Sequence, residues 1–233
     1  MKFHMPPVYP ITDKALARRS SHYGIVRELV RGGARLVQVR DKSTPLGDLL
    51  RDLERCVALA EREGVTLIVN DRCDLALSCG AMGVHLGQED LPPEAARALL
   101  GKRSILGLSA HSLPQVRRSR NLPIQYLGFG PVFATSTKTD AAPATGTKTL
   151  SAACRISAVP VVAIGGIGPD RIGEVLKAGA SSAAVISALM CAPDIARQME
   201  KCLKAARETR STGSRTDTPP ARYRARRGRS CES

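Results

Sequence analysis

Residues 161–187 read VVAIGGIGPDRIGEVLKAGASSAAVIS. A short apolar run, Val161 to Ile164, stops at Gly165-Gly166, and Pro169 follows where the first turn of a helix tolerates proline. A second run, Ala183 to Ile186, ends at Ser187. Runs this short and rich in Val and Ile read as buried parallel strands, so the stretch is one strand-helix-strand unit. The same beat recurs toward the amino terminus at Val8 to Ile11, Leu36 to Val39, Thr66 to Val69, Gly83 to Leu86, Ile105 to Leu108 and Tyr126 to Phe129. Amphipathic segments lie between the runs; in Leu46 to Arg62, for example, Leu49, Leu50, Leu53, Val57 and Ala60 share one helical face. Pro92-Pro93 and Pro114 again fall at helix starts. Eight parallel strands joined by helical crossovers close most economically as an α/β fold of the (β/α)8 TIM-barrel type, with a doubly wound open sheet as the structural competitor.

The chain has 233 residues, 43% of them hydrophobic, enough to bury one large core. Tryptophan is absent and aromatics make up 3%, so the core is expected to be built from Val, Ile, Leu and Ala. The barrel pattern stops near Arg207. Residues 209–233 hold seven Arg against Asp217 and Glu232, a net +5 of the chain's +14, leaving +9 on residues 1–208. The expected organisation is therefore a catalytic barrel over 1–208 and an Arg-rich, disordered tail over 209–233, which buries too little to offset its ordering entropy. A basic body suits phosphorylated small molecules and equally a weak, nonspecific attraction to nucleic acid.

Seven scattered cysteines include no C-x-x-C pair, which reads as reduced packing residues of a cytoplasmic protein. Met1 to Pro10 lacks the apolar run of a signal peptide, and no stretch approaches the ~20 apolar residues of a membrane span. A soluble protein without a membrane partner is expected, with homo-oligomerisation left open.

Barrel active sites form at the carboxyl ends of the strands, and polar residues of unusual kind collect there. Strand two ends Gln38-Val39-Arg40-Asp41-Lys42; alternation puts Leu36, Gln38, Arg40 and Lys42 on one face and Val37, Val39 and Asp41 on the other. An amide and two cations above the core fit a phosphate or diphosphate better than a solvated strand end. Strand three ends Asn70-Asp71 and strand four runs through GVHLGQED, residues 83–90. Asp71 and Asp90 can converge on a divalent cation, and oxygen ligands beside a diphosphate are usual for Mg2+; Asp90 as a plain helix cap is the alternative. His85, alone in an apolar strand, reads as a hydrogen-bonded structural residue, and no histidine spacing suggests zinc. Ser109 ends strand five without a hydrolase nucleophile context and reads as a hydrogen-bond donor. The loop after strand six carries Thr135, Ser136, Thr137 and Lys138 and is placed to cover a ligand. Gly165-Gly166 after strand seven and Ile186-Ser187 after strand eight offer backbone amides to a monophosphate, although close helix packing would also require the glycines. Two anion sites at one mouth suggest two phosphorylated substrates, one of which loses a leaving group.

These strings, together with Tyr9-Pro10-Ile11-Thr12-Asp13, LGLSAHS (106–112), GFGPVFATSTK (128–138), AIGGI (163–167) and VISA (185–188), resemble the thiamine phosphate synthase family, in family order over residues 8 to about 207. The resemblance implies a Mg2+-dependent transferase that couples 4-amino-2-methyl-5-pyrimidinylmethyl diphosphate to a (carboxy)thiazole phosphate by a dissociative route. By the same resemblance Gln38, Arg40, Lys42, Asn70, Ser109 and Lys138 hold the pyrimidine diphosphate, with Arg40, Lys42, Ser109 and Lys138 assisting the chemistry. Asp71 and Asp90 bind the metal. Thr135, Ser136, Thr137, Gly166, Ile186 and Ser187 meet the thiazole phosphate. Two other functions compete. A thiazole tautomerase would have no use for the cationic clamp and the paired carboxylates. A nucleic-acid-binding protein would rely on Arg222 to Arg229, where Tyr223 is the lone aromatic available for stacking.

Overall fold

The computed structural model describes residues 3–135 and 143–213. Eight strands are present: β1 (Val8–Pro10), β2 (Leu36–Val39), β3 (Thr66–Asn70), β4 (Gly83–Leu86), β5 (Ile105–Ala110), β6 (Tyr126–Phe129), β7 (Val161–Ala163) and β8 (Ser182–Val185). All pair in parallel in the order β1-β8-β7-β6-β5-β4-β3-β2. A parallel bridge between Ile11 and Gln38 joins the two ends of that order, so the sheet closes as a barrel and the open-sheet alternative falls.

The helices are α1 (Lys14–Ala17), α2 (His22–Arg31), α3 (Leu46–Glu63), α4 (Cys73–Cys79), α5 (Pro93–Leu100), α6 (Leu113–Arg118), α7 (Gly146–Ile156), α8 (Pro169–Lys177), α9 (Ser187–Met190) and α10 (Ile195–Gly213). Pro93, Pro114 and Pro169 all sit in first turns, where their missing N–H costs no helical bond. Helix α10 runs on to Gly213, with Thr209 Oγ1 donating to Ala205 O, so Thr209 to Gly213 are helical rather than part of a tail that begins at 209. Residues 214–233 lie outside the described residues. No described helix is long and apolar enough to cross a membrane.

Period-two alternation sorts the strand side chains into two cores. Val37, Val39, Leu67, Val69 and Leu106 face outward, packing with Leu29, Leu53 and Val175 of the helices. Leu36, Ile68, Ile105, Val162 and Ala184 face inward. The inner core is less aliphatic than the composition led us to expect, because Tyr9 and Tyr126, both fully buried, meet inside the barrel with Phe3 beside them. Gly107 makes this possible: a β-carbon there would collide with the Tyr126 ring.

Candidate active site

The strand-two tip is held from outside the barrel. Thr12 N donates to Gln38 O at 2.9 Å across the β1–β2 seam, and Arg40 N donates to Thr12 Oγ1 at 3.2 Å. Thr12 Oγ1 lies 2.8 Å from Nδ1 of the buried His22, whose Nε2 lies 2.8 Å from Asp41 Oδ2. Asp41 also accepts from the Ser43 and Thr44 amides and the Thr44 hydroxyl. Burial opposes its charge, but these donors outweigh that and hold its carboxyl well below the ordinary carboxylate range. Burial likewise pushes His22 below its usual value against the pull of Asp41, which keeps the ring neutral. Asp41 thus faces away from the mouth, as alternation requires, while Gln38 turns into the barrel toward Tyr9.

Above the barrel, Arg40 Nη1 pairs with Asp13 Oδ2 at 3.2 Å and the mostly exposed Lys42 pairs with Asp71. Asp71 adopts a left-handed backbone (φ 62°), a strained conformation for a residue with a side chain, while its N–H donates to His85 O at 2.7 Å and keeps it on the sheet. That pose sends the carboxylate toward Asp90. Asp90 accepts from Gly87 N at 2.6 Å in the turn after β4 and does not cap α5, whose N-cap is Pro92 with no side-chain bond; its carboxyl is pushed above its ordinary range, first by burial and then by Asp71, against the Gly87 amide. A carboxyl raised by a neighbouring carboxylate belongs to a donor set short of positive charge. Lys42 supplies part of it, and the pair fits a hard divalent ion that takes its remaining ligands from water and substrate. Among the described residues no group of three or more His, Cys, Asp and Glu is gathered as a self-sufficient metal cage. Asn70, the last residue of β3, sits in register with His85.

Beside this charged rim a cavity of about 190 Å³ opens into the barrel. Tyr9, Gln38, His85, Ser109 and Tyr126 line its β1-to-β6 side; Thr135, Gly165, Gly166, Ile186 and Ser187 line the other. The glycine pair is required for two reasons. Both residues have positive φ (102° and 63°), and a β-carbon would come within 2.5 Å of Pro131 Cβ at Gly165 and of Ala134 O at Gly166. Packing and exposed amides are thus compatible readings of the same motif. Phe133 N donates to Gly165 O at 3.2 Å, and Arg171 Nη1 donates to Gly166 O at 2.8 Å while its guanidinium covers the Phe133 ring at 4.5 Å. Ser136, Thr137 and Lys138 lie outside the described residues.

The structure therefore brings Gln38, Ser109, Thr135, Gly166, Ile186 and Ser187 to one cavity and places Arg40 and Lys42 just after β2, Asp71 just after β3 and Asp90 in the segment after β4. Sequence reasoning missed Tyr9, Tyr126, His111 and Arg171, and took His85 as structural. His85 is hydrogen-bonded on both ring nitrogens, to Tyr126 Oη and Ser109 Oγ at 3.0 Å each, and it also lines the cavity. The signal for these residues was the pair of mid-strand glycines: Gly107 makes room for Tyr126, and Gly128 would place a β-carbon 3.1 Å from His85 Cε1.

Fold and mouth together define a (β/α)8 barrel with a cavity and a charged cluster at the carboxyl ends of its strands. Residues 8–189 match the family model described as thiamine monophosphate synthase, and the chain belongs to that family. It is 42% identical to the thiamine-phosphate synthase of Methanospirillum hungatei over 83% of this chain and 94% of that one. It is 40% identical to the thiamine-phosphate synthase of Chloroflexus aurantiacus over 86% and 94%. Among solved structures, thiamine phosphate pyrophosphorylase from Pyrococcus furiosus superposes with a TM-score of 0.80 at 35% identity, covering 87% of this chain and 96% of that one.

Proposed function

We propose that this enzyme is a transferase that joins 4-amino-2-methyl-5-pyrimidinylmethyl diphosphate to a (carboxy)thiazole phosphate, giving thiamine phosphate and diphosphate, with carbon dioxide released as well when the thiazole carries the carboxyl group. The observation that carries the reading is the division of the mouth: cations and paired carboxylates just after β2 to β4, and a cavity lined by Gln38 and Ser109 together with the segments after β7 and β8. A tautomerase acting on the thiazole alone would leave the first of these stations without a task. The nucleic-acid reading rests on Arg222 to Arg229, outside the described residues.

Gln38 and Ser109 would hold the pyrimidine ring in the cavity, against the Tyr126 and His85 rings. Arg40 and Lys42, with Asn70 near the β3 tip and Lys138 from the β6 loop, would face the diphosphate. Thr135, Ser136, Thr137, Gly166, Ile186 and Ser187 would hold the thiazole phosphate. Mg2+ held by Asp71 and Asp90 would neutralise charge on the diphosphate oxygens. The bond from the pyrimidine methylene carbon to the diphosphate oxygen breaks, with its electron pair leaving on the diphosphate. The thiazole nitrogen then donates its lone pair to that carbon. Arg40, Lys42 and Lys138 would stabilise the leaving anion, so no protein nucleophile is needed. The two phosphate stations would fix the partners in line, which removes most of the entropic cost of bringing them together.

Incubation of the full chain with both substrates, with and without Mg2+, tests this by mass spectrometry. Thiamine phosphate and diphosphate are expected in equal amounts only when both substrates and the metal are present. Absence of coupling, or isomerised thiazole phosphate as the sole product, would overturn it.

A further inference from the structure

Five side chains from five strands are linked in an unbroken hydrogen-bonded line beneath the cavity. Gln38 Nε2 on β2 donates to Tyr9 Oη on β1 at 3.0 Å. Tyr9 Oη lies 2.8 Å from Tyr126 Oη, contributed by β6 across the barrel interior. Tyr126 Oη lies 3.0 Å from Nδ1 of His85 on β4, and His85 Nε2 lies 3.0 Å from Ser109 Oγ on β5. The rings are set for this: Tyr9 meets Tyr126 edge-on at 5.7 Å, and His85 stacks on Tyr126 at 5.4 Å.

We infer that this line is a polarised relay, in which the Gln38 amide fixes His85 as its Nε2–H tautomer and leaves the Ser109 hydroxyl to donate into the cavity. Each phenol carries one proton, and both phenols are buried, with Tyr9 1% and Tyr126 0% exposed, so each proton must go to a protein acceptor. Burial also raises the pKa of both phenols, so neither gives up its proton at neutral pH. Since Gln38 donates to Tyr9, Tyr9 donates to Tyr126, and Tyr126 donates to Nδ1 of His85. A neutral imidazole that accepts at Nδ1 carries its proton on Nε2 and donates it to Ser109. Ser109 then accepts from the protein and turns its own proton toward the cavity it lines. If the direction were reversed at Gln38, every link would reverse, and Ser109 would be tied to His85 as a donor. Neighbouring bonds in such a chain strengthen one another, which favours one direction throughout.

The cavity therefore offers an acceptor, Gln38 Oε1, on one side and a donor, Ser109 Oγ–H, on the other. That pattern suits a flat heterocycle with an N–H donor on one edge and an unprotonated ring nitrogen on another. Matching it to the aminopyrimidine rests on the function proposed above; the relay itself does not. Tyr9, Tyr126 and His85 act through Gln38 and Ser109 and are positioning residues.

Histidine labelled with 15N in the full chain, with the His85 signals assigned through His85→Gln, reports the tautomer directly. The native protein is expected to give a protonated Nε2 and an unprotonated Nδ1. Gln38→Glu places an acceptor-only carboxylate at the head of the line and, at mildly alkaline pH, should move the His85 proton to Nδ1 without touching that ring. Adding Tyr9→Phe to Gln38→Glu cuts the line and should return the proton to Nε2. A native His85 protonated on Nδ1, a folded Gln38→Glu protein with no change, or the same reversal in the double variant would each overturn the relay. If Gln38→Glu does not fold, the native spectrum decides. Tyr126→Phe should separately raise KM for the pyrimidine diphosphate about tenfold, the loss of roughly one hydrogen bond, with KM for the thiazole phosphate unchanged. A relay shown by NMR without this effect would point to a different ligand rather than to a missing relay.

Discussion

Arg97 and Arg40 present the same guanidinium group at opposite ends of one barrel, and their surroundings differ sharply. Arg97, on α5, donates to Gly101 O, Ser104 O, Pro123 O and Gln125 Oε1 at 2.7–2.8 Å, and Gln125 Oε1 also takes the Leu106 amide. It ties together the turns that enter β5 and β6, and its hydrogen-bonding capacity is largely spent inside the protein. Among the described residues Arg40 has one carboxylate partner, Asp13, and Lys42 likewise has Asp71. The carboxylates repeat the contrast: Asp41 is surrounded by donors and lies below its ordinary pKa, while Asp90 faces Asp71 and lies above. Polar groups satisfied by the chain itself hold the fold, whereas groups left with capacity at the mouth are available to a ligand.

The strongest way to test that division is at the carboxylate pair. Asp90→Asn and Asp71→Asn should each lower kcat at least ~100-fold in steady-state assays, while melting temperature stays the same or rises as the like-charge contact is relieved. A lower melting temperature with turnover retained would make the pair structural. Next comes the exchange between the two arginines. Arg40→Ala should cut kcat/KM for the pyrimidine diphosphate by ~10–100-fold, the range for a lost charged hydrogen bond, with an unchanged melt. Arg97→Ala should leave kcat/KM alone and destabilise by about 2–4 kcal/mol in denaturant titrations, because several acceptors lose their donor together. If both variants lose activity and stability alike, the contrast between the two ends fails.

A smaller effect is expected from pH. The folded Asp90 retains a proton that the unfolded chain has released, so stability falls as pH rises from the ordinary Asp range through the higher folded value; Mg2+ should offset this. Asp41 acts the other way: its contribution is present above the ordinary Asp range and is lost as pH falls. His22 is kept neutral by burial, so its contribution also begins to fade as pH drops through ~6.5, the ordinary histidine value. Thermal melts across pH, with and without Mg2+, check all three. Absence of any metal-dependent gain at neutral pH would count against the Asp71–Asp90 assignment. The smallest effect should come from removing residues 214–233, beyond the end of α10, which should change turnover by less than about twofold, the usual insensitivity of a terminus that carries no part of the site.

Much of this was legible in the sequence because strand alternation and barrel topology are periodic. Leu36 faces inward and Val37 and Val39 outward, as their spacing requires, and Gln38 reaches Tyr9 inside the barrel while Asp41 meets His22 outside it. What periodicity could not convey was contact across the barrel. Tyr9 and Tyr126 are 117 residues apart and meet only once the sheet has closed, so their joint role was invisible apart from the space left by Gly107 and Gly128. Nor could composition locate the end of the last helix, since polar Thr209 and Ser211 prolong it by bonding back to Ala205 and Glu208.

The most direct measurement is a calorimetric titration of diphosphate into the native chain and four variants, with and without Mg2+. Binding should require the metal, be lost in Asp71→Asn and Asp90→Asn, weaken in Arg40→Ala and persist in Arg97→Ala. Equal binding without Mg2+, undiminished by loss of either aspartate, would contradict the account.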